Sequence, residues 1–245
     1  MRNPTFDIVK GIGIVLMLLG HIGLPLWIWK FIFSFHMPLF LIVSGYFAKS
    51  CEESHISIGQ GLCKDSKRLL WPYFVTSVLI VLFALLRGII KGDMSIVAEK
   101  AYDMLYVTHD TGPIWFLVAL FWIRVLFRPI MKCKQWALPV SILFSGVAVI
   151  IVHHVMQLPF CILTGLAAMV FYAIGWWQKR YGFPRWLIVV GAVCWMCMLV
   201  WGDLVKIYRV EYWIYPITIL GASGATYLIY LLVKRLSIYL SLDGY

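Results

Sequence analysis

Long apolar runs alternate with short polar joints along this chain. Eight runs stand out, at residues 6–25, 31–49, 72–90, 114–127, 136–152, 160–177, 186–202 and 213–233. Within each run the apolar residues are continuous rather than alternating. That pattern predicts helices that satisfy their own backbone in lipid, not the alternating strands of a barrel. A bilayer core takes about 20 residues of helix. Residues 114–127 fall short of that, so this run is expected to begin earlier or to be irregular. The longest joints are residues 50–71 and 92–113. Pro72 suits the first turn of the third helix. The expected architecture is an all-α, polytopic transmembrane helix bundle of about eight spans.

The polar exceptions inside the runs carry the functional information. Asp7 and Lys10 stand at the start of the first run and His21 at its end. At about 100° per residue, Lys10 and His21 fall within roughly 20° of one another on a helix, and Asp7 within about 60° of Lys10. Ionisable groups in a membrane segment are expensive and usually face a protein interior or a wet cavity. A second histidine follows in Phe35-His36-Met37-Pro38-Leu39-Phe40. Two readings stay open at this point. Either Asp7 and Lys10 pair at one interface while His21 snorkels at the other, or the stripe lines a site.

Composition settles the broad class. Of 245 residues 62% are hydrophobic and 13% charged, and the mean hydropathy is +0.89. A soluble domain of this size does not look like that, whereas a multi-pass membrane protein does. Asp7 and Lys10 interrupt the first run and no small-residue cleavage site follows, so the segment is expected to remain as a transmembrane helix. Fifteen of the 21 basic residues fall on one side: Arg2, Lys10, Lys49, Lys64, Lys67, Arg68, Arg124, Arg128, Lys132, Lys134, Lys179, Arg180, Arg185, Lys234 and Arg235. That side is expected to be cytoplasmic and to hold both termini. The net charge of +10 is then mostly this asymmetry. With no separate basic domain, it gives no reason to expect nucleic-acid binding. Trp71, Trp136, Trp186 and Trp213 at the run ends fit an interfacial belt.

Other chemistry-bearing residues have ordinary explanations. Cys51, Cys63 and Cys133 fall in joints expected to be cytoplasmic, where thiols stay reduced. Cys194-Trp-Met-Cys197 has redox or metal spacing but lies in an apolar helix without acidic or histidine neighbours. His153-His154 lies in the joint before Pro159, and adjacent residues point to different sides of a helix. No metal site is expected. The basic stretch Lys64-Asp-Ser-Lys67-Arg68 ahead of Trp71-Pro72-Tyr73 reads either as interfacial anchoring or as a site for a phosphorylated ligand, since Lys and Arg suit phosphates.

Several of these motifs together resemble membrane acyltransferase family 3, which includes fucose 4-O-acetylase-like and other bacterial surface-glycan O-acetyltransferases. Asp7-Ile-Val-Lys10-Gly11, with ten residues between Lys10 and His21, is similar to the family's opening helix. Lysine stands where many members have arginine, which keeps the charge without a bidentate fork. Phe35-His36 through Ser44-Gly45-Tyr46 resembles the second helix. Arg68 with Pro72-Tyr73 resembles the basic entry to the third, and Gly112-Pro113-Ile-Trp115-Phe116 the start of the fourth. The family usually has ten helices, and this chain stops at Tyr245 where a ninth would begin. C-terminal truncation of a single acyltransferase domain over residues 1–245 is therefore an expectation.

The resemblance implies transfer of an acetyl or other short acyl group from acyl-CoA to a hydroxyl of a cell-surface or lipid-linked sugar. Acetyl-CoA or another acyl-CoA would be a co-substrate, with no permanently bound cofactor. A bacterial inner membrane location is implied, and a homo-oligomer is left open. Such a transfer needs a base near neutral pH, a role histidine fills. Lys10 and His21 stand roughly 16 Å apart along a helix at about 1.5 Å per residue. That is too far to act on one atom. His21 is therefore assigned to the reacting centre with His36 beside it, and Lys10, held by Asp7, to the donor path. Lys64, Lys67 and Arg68 are expected to bind acyl-CoA, and Trp115 and Tyr46 the acceptor. Gly13 and Gly20 allow either close packing or room for a ligand. The alternative from another class is a proton-coupled transporter or exporter using Asp7, Lys10 and His21 as its relay.

Overall fold

The computed structural model describes residues 4–50, 53, 55, 57–106, 109–155, 158–182, 184–202 and 207–242. Arg2, Cys51 and Lys206 lie outside the described residues. Eleven α-helices, joined by short 3₁₀ or π turns, account for the described fold, and no β-strand occurs among these residues. They are α1 Pro4–Leu19, α2 Leu26–Phe33, α3 His36–Tyr46, α4 Ile58–Asp65, α5 Trp71–Lys91, α6 Ser95–Tyr106, α7 Trp115–Ile130, α8 Ala137–His154, α9 Ile162–Tyr181, α10 Arg185–Trp201 and α11 Tyr215–Leu242. Among the described residues, five stretches are long and apolar enough to cross a membrane: Leu26–Tyr46, Ile58–Lys91, Gly112–His154, Pro159–Tyr181 and Tyr215–Ser237. The chain is a multi-pass membrane protein. Each of the eight apolar runs carries a helix, although α1 and α10 are shorter, at 16 and 17 residues.

The structure redraws several joints. The second run is two helices, broken at Ser34 and Phe35. Pro38 supplies the reason: a proline ring inside a helix collides with the carbonyl four residues back, here that of Ser34. The joint at residues 50–71 is helical from Ile58, where Ser57 and Gln60 form a capping box. The helix then runs through a π segment, Ser66–Leu70, straight into α5. These 34 residues reach about 51 Å, well beyond a hydrocarbon core of about 30 Å, so the polar part before Trp71 extends past it. The joint at 92–113 contains α6. Gly92, at φ 69°, ends α5. The Asp93 carboxylate then accepts from the Ser95 amide at 3.0 Å and hydroxyl at 2.6 Å. Those bonds hold its carboxyl below the usual carboxylate range. His153 and His154 are the last residues of α8, not part of a joint.

The chain divides into two compact units. One comprises Met1–Ala48, Val170–Ile207 and Glu211–Tyr245. Its core joins Phe6 and Val9 of α1, Phe35 beside α3, Leu39 and Val43 of α3, and Ala225 and Val233 of α11. Without a hydrophobic drive between helices in lipid, close contact rests on small residues. A Cβ at Gly45 would fall on the Tyr172 carbonyl, and one at Gly175 on the Ile42 carbonyl, so α3 and α9 touch backbone to backbone. Gly191 and Gly224 do the same for α10 and α11, where an added Cβ on Gly191 would meet the Gly224 Cα at 2.8 Å. The other unit comprises Lys49–Met169 and Tyr208–Val210. Its core is carried by the buried residues of α7, Val118 to Phe121, Ile123 and Phe127.

Candidate active site

In the first unit α1 buries Thr5, Phe6, Val9 and Gly13. Asp7 and His21 lie off that face and are exposed, while Lys10 is half-buried. Lys10 and Asp7 form an ion pair at 3.7 Å, one turn apart. An accessible pair of this kind adds little to stability; its consequence is to hold the Lys10 ammonium at that end of α1.

His21 sits in the turn after α1. Its ring centroid is 6.4 Å from that of Phe33, and Phe33 also neighbours His36, at 4.7 Å edge-on. Both imidazoles thus neighbour the same phenyl ring. The turn is held by Trp29, whose indole Nε1 donates to the Gly20 carbonyl at 2.6 Å. Gly20 is required at this point, because a Cβ would come within 2.8 Å of the Phe33 ring. Gly13 likewise meets Phe40, at 2.9 Å. Both glycines serve packing of α1 on α2 and α3.

His36 is buried, with 3% exposure, and its Nδ1 lies 2.9 Å from the Ile32 carbonyl. A carbonyl only accepts, so Nδ1 carries the proton and Nε2 keeps its lone pair. The helix break makes this bond available, because an unbroken helix would give the Ile32 carbonyl to the His36 amide. Around the same break, Trp195 Nε1 donates to Ser34 Oγ at 2.8 Å, and Ser34 Oγ donates to the Phe31 carbonyl at 2.7 Å. The Lys30 ammonium donates to the Gly202 carbonyl at 2.9 Å, at the end of α10. A polar scaffold thus braces the turn that carries His36.

Tyr46 stands at the other end of α3, roughly 15 Å along the helix from His36. It packs on Phe6 at 4.6 Å and beneath the Lys179 ammonium at 5.6 Å. The structure thus groups Tyr46 with the Lys10 end of the unit and not with the histidines.

The remaining assigned residues belong to the second unit. Lys64, Lys67 and Arg68 are exposed on the α4 and π segments. Between them in sequence, Asp65 is buried and accepts from Arg124 at 2.9 Å and from Arg128 at 2.5 Å, one carboxylate oxygen to each. Gly61 leaves space for this clamp, since its Cβ would lie 2.7 Å from the Arg128 guanidinium carbon. Sequence reasoning missed Arg124 and Arg128 as anything but surface charge. The signal was present: two arginines four residues apart share one face of an apolar helix. Trp115 is buried at the start of α7, edge-on to Phe116 at 6.1 Å. His153 and His154 are exposed. Among the described residues no group of three or more His, Cys, Asp or Glu side chains is placed to hold a metal ion.

Compared with known proteins, residues 3–242 match the family described as an acyltransferase domain, the third of that series. The nodulation protein NolL of Mesorhizobium japonicum is 28% identical over 228 residues, covering 85% of this chain and 59% of that protein. NolL of Sinorhizobium fredii is 30% identical over 160 residues, covering 57% of this chain and 40% of the relative. The chain thus spans less than two thirds of the length of these curated relatives. No solved structure matches it.

Proposed function

The chain belongs to acyltransferase family 3, and from that premise we propose that it is a membrane O-acyltransferase working on a sugar hydroxyl with acyl-CoA as donor. The observation that carries the reading is the pair of imidazoles that both contact Phe33, one of them with its tautomer set by a backbone carbonyl. In this reading the acceptor hydroxyl oxygen attacks the thioester carbonyl carbon while His21 takes its proton. The tetrahedral intermediate collapses, the carbon–sulfur bond breaks, and the thiolate leaves with the proton returned by the imidazolium. His36 Nε2 accepts a hydrogen bond from the acceptor and orients it. Lys10, paired with Asp7, attracts the donor, and Lys64, Lys67 and Arg68 bind its phosphates. Trp115 belongs to acceptor binding. The acyl group is acetyl or similarly short, and the acceptor a cell-surface or lipid-linked glycan. The basic-residue asymmetry supports cytoplasmic termini, and the bacterial inner membrane is the location implied by the family resemblance. Family membership favours this transfer over the exporter reading.

The test is transfer of label from acetyl-CoA to candidate glycans by the purified protein. His21→Ala should lower the rate by about 10²–10⁴-fold, the usual scale for a lost general base. His36→Ala should cost less. Normal turnover in His21→Ala beside a dead His36→Ala would move the base to His36. Normal turnover in both would remove the histidine pair from the chemistry.

A further inference from the structure

The end of the first unit away from His21 holds a second constellation. Four elements converge there: α1 with Phe6 and Lys10, the end of α3 with Tyr46 and Phe47, α9 with Lys179, and α11 with Tyr230 and Lys234. Phe6 is buried and anchors an aromatic floor. Its ring centroid lies 4.6 Å from Tyr46, 5.0 Å from Phe47 and 5.0 Å from Tyr230. Cations stand over this floor. The Lys10 ammonium is 5.0 Å from the Phe47 centroid and the Lys179 ammonium 5.6 Å from that of Tyr46. Lys234, one turn beyond Tyr230, is within electrostatic reach of the Tyr46 hydroxyl. Lys179 and Lys234 are exposed, and Phe47 shows 42% of its surface. Asp7 is the acidic member.

Basic residues at a helix end are commonly interfacial anchors. That explanation accounts for each lysine alone. It does not account for lysines of two helices standing over one aromatic floor, with Lys234 of a third helix nearby and a rim ring, Phe47, still partly exposed. Ammonium groups suit phosphate oxygens, and an open aromatic ring is a stacking platform for a nucleobase. We propose that this cluster binds the phosphorylated adenine nucleotide end of the acyl donor, with Lys10, Lys179 and Lys234 on phosphate and Phe47 against the base. This rests on the acyl-CoA reading above, and it moves the donor's phosphates from Lys64, Lys67 and Arg68 of the second unit to this cluster. Tyr46 thereby moves from acceptor binding to donor binding.

Lipid phosphates share the same chemistry, so the experiment separates the two sources. The full chain is placed in nanodiscs of phosphatidylcholine, with and without phosphatidylglycerol, and titrated with coenzyme A and with pantetheine, which lacks the nucleotide. The unaltered protein should prefer coenzyme A in both discs. In Lys179→Gln/Lys234→Gln and in Phe47→Ala that preference should fall at least about tenfold, the scale of losing a hydrogen bond to a charged group. An unchanged preference, or an equal loss for pantetheine, overturns the proposal. So does an effect seen only with phosphatidylglycerol, which would identify a lipid headgroup contact. Lys67→Gln/Arg68→Gln is the control for the reading beneath it. If only that variant loses coenzyme A, the acyl-CoA reading stands and this inference falls. If the unaltered protein binds no coenzyme A, both fall.

Discussion

His36 and His21 differ in what surrounds them. His36 is buried and tied to the Ile32 carbonyl, whereas His21 stands exposed in a turn with a phenyl ring for its neighbour. Both contact Phe33, and the position of Phe33 depends on the absence of a side chain at Gly20. Gly20→Ala should therefore push Phe33 aside. We expect a stability loss of about 1–3 kcal/mol, typical of overpacking, with a fall in kcat larger than any change in donor KM. Steady-state kinetics on the purified variant checks this, and an unchanged kcat would show that the position of Phe33 is irrelevant. In the other unit, Asp65 holds two arginines with little solvent around them. Removing one partner of such a group leaves uncompensated charge, at a cost on the order of 3 kcal/mol. Asp65→Ala should lower the thermal midpoint clearly more than Lys67→Ala, as read by a thermal unfolding assay in detergent.

Among the helices, the break between α2 and α3 does most to shape the candidate site. Pro38 prevents a continuous helix, and at the break the Ile32 carbonyl accepts from both the Phe35 amide and the His36 ring. Pro38→Ala lets the backbone run on. The expected outcome is a protein about as stable as the original, since Pro38 stands in the first turn of α3, where proline is tolerated, but with turnover reduced about tenfold or more as His36 loses its fixed tautomer. Thermal unfolding and transfer assays on the same preparation measure both. Retained turnover would show that the Ile32 bond has no part in catalysis. The contact of α3 with α9 is the other dependence. A side chain at Gly45 has no space, because its Cβ falls on backbone and not on a movable side chain. Gly45→Val should abolish folded protein, whereas Gly11→Val, where nothing lies within reach of a Cβ, should leave it intact. Size-exclusion profiles in detergent compare the two.

Taken whole, the molecule has an expected orientation that can be tested directly. Cys63 and Cys133 are free and exposed in the structure. The basic-residue asymmetry puts both on the cytoplasmic side. An impermeant thiol reagent should leave them unlabelled in intact cells and label them after permeabilisation. Labelling of Cys63 in intact cells would overturn this orientation.

Membrane embedding, helical class and the order of the helices could be read along the chain, because lipid imposes the same demand on every spanning segment: apolar side chains and internally satisfied backbone. The family was legible for a related reason, since Lys10, His21, His36 and the Ser44-Gly45-Tyr46 stretch are local patterns. The break at Ser34 also had its cause in sequence, at Pro38, but hydropathy is blind to it. Helix α6 was invisible to hydropathy because it is amphipathic and polar enough to pass as a loop. What required three dimensions was every meeting of distant residues. Asp65 with Arg124 and Arg128 spans about sixty positions, and Tyr46 with Lys179 more than a hundred. Helix periodicity places a residue on a face, but the partner of that face is chosen by packing. Here packing was steered by glycines at 45, 175, 191 and 224, whose role appears only when another backbone comes to rest against them.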